Sequence, residues 1–552
     1  MKRGRVVILG FDSATFDLIG PLIEKGRLPN LARICREGAH GQMTSTMPPR
    51  TAPAWVSLMT GQNPGNHGIF DFFLRKVEGY QVSEGDLVTS ANYAGRTFFD
   101  VLSRQGKKVS ALFVPMTFPT WEVNGQMVAG PPLTPGSDEG LSFPAGVHRQ
   151  MGIENDRHLF PPSIKRGIRR KETIDGLFQM DQARAEVALE QWESGSHDCL
   201  MVVMEAIDII QHFLWQDFQE GDGSEFGAII PAIYEAADQV VGRFLNRLAP
   251  DDLLFAVSDH GMTAHPRICF HINAWLASQG WLSYSGSKAI GNRLVQKGRR
   301  LLRSVIPESL YLKLAEDIKG SDSALARNIR RGEDGVSAID WSRTRAYRFK
   351  MPDLPCDGIM LNKLGRQPDG VVSEFSFDEV AESIRKELLD LKDPFEGQAV
   401  ARAVYRREDL FDGPEAGRMP DLVIEFNDSC KAGGKLDGDA FELTPALERT
   451  RLSGTHSPRG IFLALGKPFA PGRQLDPLHI SDFAPTLLCA MKHSVPHWMD
   501  GRTNLHCFSQ EFLDRNPPQI DHSQQDRLAE ERAYSDEERA EIEQRLRSLG
   551  YL

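Results

Sequence analysis

The 552-residue chain has little cysteine, no long apolar run and a deficit of positive charge. Its seven cysteines (Cys35, Cys199, Cys269, Cys356, Cys430, Cys489 and Cys507) are scattered, odd in number and contain no CxxC pair. That argues against a disulfide framework and against a cysteine-based zinc site. No run approaches the ~20 apolar residues needed to span a bilayer. The start, Met1-Lys2-Arg3-Gly4-Arg5, carries the charge of a signal peptide, but the apolar stretch that follows stops at Asp12. A secretory core needs roughly 7–15 apolar residues, so the stretch reads as a buried first strand and the expected location is cytoplasmic. With 64 Lys+Arg against 75 Asp+Glu and a net charge of −11, the chain lacks the basic footprint of a nucleic-acid coat. No nucleic-acid binding is expected, and a local basic pocket for an anionic substrate stays open.

What is present is ordinary globular composition, 41% hydrophobic and 25% charged, in a length that suggests three or four units of roughly 150 residues. Short apolar runs at residues 6–11, 109–114, 200–204 and 253–257 alternate with helical periodicity. The first helical pattern, from Thr15 to Gly38, has Leu18, Leu22, Ile23, Leu31 and Ile34 on its apolar face, and Pro29 divides it into two helices. The alternation predicts an α/β fold, a mostly parallel central sheet flanked by helices, with functional groups at the carboxyl ends of its strands. Two stretches break the pattern and read as helical cap insertions. One is residues 136–175, rich in Pro, Gly and basic side chains; the other is the basic segment 286–335, with Lys297, Arg299, Arg300 and Arg303. The core is then residues 1–285 and 336–515, followed by a polar helical tail at 516–552 that is docked on the body or loosely attached to it. The basic run at 297–303 is either a solvated helix face or an attractor for an anionic substrate or membrane surface.

Five polar islands follow apolar runs or lie in the loops behind them. They contain Asp12; Arg50 and Thr51; Asp208 and His212; Asp259 and His260; and His456. Asp208 and His212 are spaced i,i+4, which on a helix puts both on one face to share an ion; the alternative is a capping Asp with a partly buried His. Asp259-His260 directly follows an apolar run, where unpaired burial is costly; the alternative is a solvated turn, with Gly261 allowing the chain to bend sharply. Asp12 caps the next helix or binds a ligand. Thr51 and His456 taken singly are turn and loop residues. Taken together, carboxylate, imidazole and hydroxyl donors in this mix suit zinc or manganese, and two ions rather than one.

The segment Met47-Pro48-Pro49-Arg50-Thr51-Ala52-Pro53-Ala54-Trp55-Val56-Ser57-Leu58-Met59-Thr60-Gly61, followed by Pro64 and His67-Gly68-Ile69, resembles the nucleophile region of the alkaline phosphatase superfamily, within it the type I phosphodiesterase/nucleotide pyrophosphatase group. All five islands occur in that group's order, and the resemblance runs over residues 5–285 and 336–505, including Asp340 to Tyr347, Asn362 and Gly365-Arg366. It implies an alkaline-phosphatase-like core in which Thr51 is both nucleophile and metal ligand. Asp12, Asp259 and His260 would complete that metal site, and Asp208, His212 and His456 would form the other. It further implies two divalent ions, Zn2+ by preference and Mn2+ as the alternative, because a bound ion activates a threonine hydroxyl that is otherwise a poor nucleophile.

The departures bear on substrate. Relatives in the group carry an Asn shortly after His-Gly-Ile to hold a phosphoryl oxygen; here the stretch is Ile69-Phe70-Asp71-Phe72-Phe73 and Phe72 takes that place, so a nucleotide substrate is not implied. The Cys/Ser-x-Pro-x-Arg pattern of sulfatases is missing. Arg50 and Phe72 are the candidates for substrate contact, and His67 and Asp71 either orient the ligands or serve packing and turns. The expected activity is metal-dependent hydrolysis of a small-molecule phosphate ester, a phosphodiester first, through a phospho-threonine intermediate. A phosphomonoesterase, a phosphonate hydrolase, a phospho-group transferase or a non-catalytic scaffold of the same fold are the alternatives. Peripheral membrane contact stays open, and the sequence does not specify the oligomeric state.

Overall fold

A computed structural model of the chain describes residues 4–133, 138–162, 168–285, 338–352, 354–436, 438–523 and 535–549. At its centre the strands Leu253–Val257, Val6–Phe11, Cys199–Met204 and Val109–Val114 lie side by side, all parallel and buried at every position. Helices cover both faces of such a sheet, which is why these strands read as continuous apolar runs rather than as an alternation. Gly125–Ala129 extends the sheet in parallel on one side, and Arg459–Leu465 and Ala39–Thr44 extend it on the other. Within this sheet, among the described strands, only Arg459–Leu465 and the edge strand Ser142–Phe143 run opposite to the rest. The result is the mostly parallel α/β sheet that the alternation predicts.

Register sets where the functional groups emerge. Phe11 lies opposite Met204, and Gly10 opposite Val257, so the residues after these strands leave the sheet at one edge. Arg459–Leu465 is antiparallel both to Leu253–Val257 and to Ala39–Thr44. Ala39–Thr44 therefore ends at the same edge, and Arg459–Leu465 begins there.

Pro29 starts a second helix, as its fixed φ favours: the chain forms Phe16–Glu24, capped by the Thr15 hydroxyl, and then Pro29–Glu37. Residues 346–426 build a separate antiparallel sheet of Ala346–Phe349, Cys356–Leu361, Leu422–Phe426 and Ala401–Arg406, on which the helix Glu374–Asp390 packs Ile384 and Leu388. The C-terminal helix Asp536–Leu549 is docked on the body through Ile542 and Leu546, 1% and 4% exposed. The segment 286–335, expected to be a basic cap, lies outside the described residues, as do 136–137 and 163–167 of the other expected insertion and residues 524–534 and 550–552 of the tail. No described helix is long and apolar enough to cross a membrane.

Candidate metal centre

Thr51 is the first residue of the helix Thr51–Thr60, with Arg50 in extended conformation at its N-cap. One turn further on, the Trp55 indole N–H donates to Asp12 Oδ2 across 3.3 Å. Gly10 makes this contact possible: a Cβ there would lie 2.7 Å from Trp55 Cη2 and 2.8 Å from Val203 Cγ2. The first strand and the Thr51 helix are thus locked together at the carboxyl edge of the sheet.

Asp12, Asp259 and His260 form one buried triad. His260 Nε2 lies 3.2 Å from Asp259 Oδ2 and 3.7 Å from Asp12 Oδ1, and Thr51 Oγ1 lies 3.4 Å from the same nitrogen. The Ser13 amide donates to Asp259 Oδ1. Asp12 Oδ1 and Asp259 Oδ2, by contrast, accept no hydrogen bond among the described residues, although both side chains are buried. An acceptor buried without a donor costs on the order of 1–3 kcal/mol, more when charged, and a cation between the two oxygens would relieve it. Burial, and then the charges of Asp259 and Asp208, hold the Asp12 carboxyl well above its usual range. Burial also raises Asp259, against the opposing pull of His260. A divalent ion would reverse both shifts.

Asp208, His212 and His456 form the second triad. The helix Ala206–Glu220 puts Asp208 and His212 on one face, with His212 Nε2 3.5 Å and His456 Nε2 3.7 Å from Asp208 Oδ1. The two histidine Nε2 atoms are 3.0 Å apart. His212 Nδ1 is 3.2 Å from the Gly454 carbonyl, and His260 Nδ1 is 3.2 Å from the Gly261 carbonyl. A carbonyl requires the Nδ1 proton, which leaves each Nε2 lone pair for a metal. The start of this helix is pinned by Asp181, which accepts the Glu205 and Ala206 amides at 3.1 Å each; burial pushes the Asp181 carboxyl up to about 7, opposed by Arg184.

The two triads are joined by a two-stranded ribbon in which Gly261–Ala264 pairs antiparallel with Gly454–Ser457. Gly261 was expected to permit a sharp turn. Instead it is the first residue of a strand, and a Cβ there would lie 2.2 Å from the Arg459 carbonyl oxygen. Its glycine is required by close backbone approach. Thus the fold gathers Asp12, Thr51, Asp208, His212, Asp259, His260 and His456 into two adjoining donor groups, whose nitrogen and oxygen atoms lie within 4.8 Å of one another in each of Asp12–Asp259–His260 and Asp208–His212–His456.

Arg50 and Phe72 differ in placement. A cleft opens onto Asp12 and Thr51, and Phe72 is in its wall. The buried Arg50 guanidinium is turned instead to Asp71 Oδ1 at 3.3 Å and to the Pro352 carbonyl at 2.5 Å. His67 does not reach the donor groups through these contacts: its Nδ1 accepts the Ile69 amide, and its Nε2 faces Ser57 Oγ at 2.9 Å, tying the loop to the Thr51 helix. Burial, reinforced by Arg96, lowers the His67 pKa to about 3.

Cys269, His271 and Glu442 form a further cluster. His271 Nε2 lies 3.1 Å from Glu442 Oε1, its Nδ1 accepts the Lys435 amide at 3.2 Å, and Lys435 Nζ pairs with Glu442; His271 and then Lys435 hold the Glu442 carboxyl at about 2. Trp55 and Asp181, whose partners lie far away along the chain, carry no local signal of these contacts in the sequence; the C-terminal helix is legible as a helix that docks or hangs loose, without a sign that it lines the cleft.

No curated protein matches the chain. Among solved structures, phosphonoacetate hydrolase from Sinorhizobium meliloti 1021, in complex with phosphonoacetate, is 14% identical, with a TM-score of 0.48 over 87% of this chain and 94% of that one. Murine ectonucleotide pyrophosphatase/phosphodiesterase 5, an inactive variant in complex with AMP, is 13% identical, with a TM-score of 0.42 over 93% of this chain and all (100%) of that one. At those distances the likeness says nothing about substrate. The sequence model of the family described as type I phosphodiesterase / nucleotide pyrophosphatase, however, matches residues 6–459, a span that holds every donor from Asp12 to His456. The chain therefore belongs to the type I phosphodiesterase/nucleotide pyrophosphatase family of the alkaline phosphatase superfamily, and it is a hydrolase of phosphoric ester bonds.

Proposed function

We propose that the protein hydrolyses phosphodiesters through a covalent intermediate on Thr51, with two divalent ions, zinc by preference, held by Asp12, Asp259 and His260 and by Asp208, His212 and His456. The observation that carries this reading is the pair of adjoining buried triads with Thr51 Oγ1 at 3.4 Å from His260 Nε2. Bound ions would supply the Lewis acidity that lowers the threonine pKa and offsets phosphoryl charge. The mixed nitrogen and oxygen donors suit zinc, with manganese the alternative.

The chain's own residues do the rest. Thr51 stands at a helix N-terminus, where unpaired amides and the helix dipole favour an anionic phosphoryl group. Trp55 holds Asp12, and the Gly454 and Gly261 carbonyls orient two of the imidazoles. Thr51 Oγ1 attacks phosphorus in line, the bond to the leaving alcohol breaks, and that oxygen takes up a proton. The retained group then sits on Thr51 as a phosphodiester. Water attacks the same phosphorus, the bond to Thr51 Oγ breaks, and a monoester is released.

The test compares bis-p-nitrophenyl phosphate with p-nitrophenyl phosphate in the presence of zinc or manganese, with Thr51→Ala as control. Faster diester turnover that disappears in the variant supports the reading. A faster monoester would move the protein to the phosphomonoesterases, and undiminished turnover in Thr51→Ala would remove the assigned nucleophile.

A further inference from the structure

The cleft beside Thr51 is poor in groups that could read a nucleotide. Four of its lining residues, Pro115, Pro131, Pro132 and Pro161, are prolines, which carry no backbone N–H. Phe72 and Phe160 add ring faces. A nucleobase is selected by hydrogen bonds to its edges, and apart from Asp12 and Thr51 the side chains of this wall that can make them are Arg545 and Glu205, the latter already paired with Arg184.

The remaining side of the cleft comes from the opposite end of the chain. Ile542, Arg545 and Leu546 of the C-terminal helix line it together with Asp12 and Thr51. Ile542 and Leu546 are buried there, and the Arg545 guanidinium lies 3.9 Å over the Phe160 ring in a cation–π contact. Further along the same helix, Arg539 lies 5.4 Å over the Phe73 ring and 3.9 Å from Asp86. The docking is therefore distributed along the helix, and its apolar residues Ile542 and Leu546 line the cleft that opens onto Thr51.

We propose that the C-terminal helix is a wall of the substrate site and that, through Ile542 and Leu546, it selects phosphodiesters whose organic group is an uncharged apolar chain over nucleotides. This rests on Thr51 as the attacking group, since Thr51 fixes where the phosphoryl end must lie. Burial of each methylene against such a wall favours binding by about fourfold, and the effect ends once the chain reaches solvent.

The test uses the full-length, metal-supplemented protein and three diesters that release p-nitrophenolate: methyl p-nitrophenyl phosphate, octyl p-nitrophenyl phosphate and thymidine 5′-(p-nitrophenyl phosphate). The expected kcat/KM for the octyl ester exceeds that for the methyl ester by about tenfold or more, and the thymidine ester gains nothing over methyl. In Leu546→Ala the octyl-to-methyl ratio falls by about fivefold, and Leu546→Met restores it. Equal values for octyl and methyl in the wild type, a thymidine ester faster than both, or an unchanged ratio in Leu546→Ala would overturn the proposal. If no diester reacts in a Thr51-dependent way, the proposed reaction fails, and the wall is then judged by calorimetry. Tighter binding of octyl phosphate than of methyl phosphate to Thr51→Ala supports it, and equal affinity overturns it.

Discussion

The imidazole rings of His260 and His456 stand 4.1 Å apart between centroids, inclined by 37°, and each belongs to a different donor triad. The two triads therefore share a wall. Sheet topology brings this about: one histidine follows the strand Leu253–Val257, the other precedes the antiparallel strand beside it, and a two-stranded ribbon pairs the segments between. A phosphoryl group beside Thr51 would be in reach of both.

His212 offers Nε2 to the second triad while its Nδ1 faces a carbonyl. His212→Ala should weaken retention of one metal equivalent by about tenfold or more. Metal content by mass spectrometry after dialysis checks this, and an unchanged content would remove His212 from the site.

Trp55→Phe keeps a ring against Gly10 but deletes the N–H donated to Asp12. Metal affinity at the Asp12 triad should fall by about tenfold, the usual scale for losing a partner that orients a ligand. Competition with a chromogenic chelator measures it. Wild-type affinity would mean that Trp55 only packs.

Gly10→Ala places a methyl group against Trp55 and Val203 in a filled part of the core. Overpacking of this kind costs about 1–3 kcal/mol, so the midpoint of denaturant unfolding should fall. Combining it with Trp55→Leu should recover part of the loss, because the clashing ring atoms are gone.

His67 is buried neutral, its pKa lowered to about 3 by burial and then by Arg96. In the unfolded chain a histidine titrates near ~6.5. Between those values the unfolded state binds the proton and the folded state does not, so stability rises with pH across that window. Acidification below ~6.5 should therefore destabilise the protein by up to about 1.4 kcal/mol per pH unit from this group. His67→Gln should flatten that slope in denaturation curves taken from pH ~4 to ~7, and an unaltered slope would assign it to other groups.

The central strands were legible because burial on both faces leaves a short unbroken apolar run, and the break at Pro29 because proline cannot continue a helix that needs its N–H. The donors were legible as islands after such runs. Other relationships had no local signal. The indole of Trp55 reaches a carboxylate on a distant strand, and Gly261 is small because the Arg459 carbonyl approaches it. The C-terminal helix is mostly polar, and among its described side chains Ile542 and Leu546 are the buried ones, on the face that lines the cleft. That face becomes readable only once the fold has brought the two ends of the chain together.

Acid quenching during turnover of bis-p-nitrophenyl phosphate, followed by peptide mass spectrometry, traps the covalent intermediate. A p-nitrophenyl phosphoryl group is expected on the peptide that contains Thr51, localised to that side chain and missing from Thr51→Ala. Steady turnover with no modified Thr51, or with the group on another residue, would contradict the assignment of Thr51 as nucleophile.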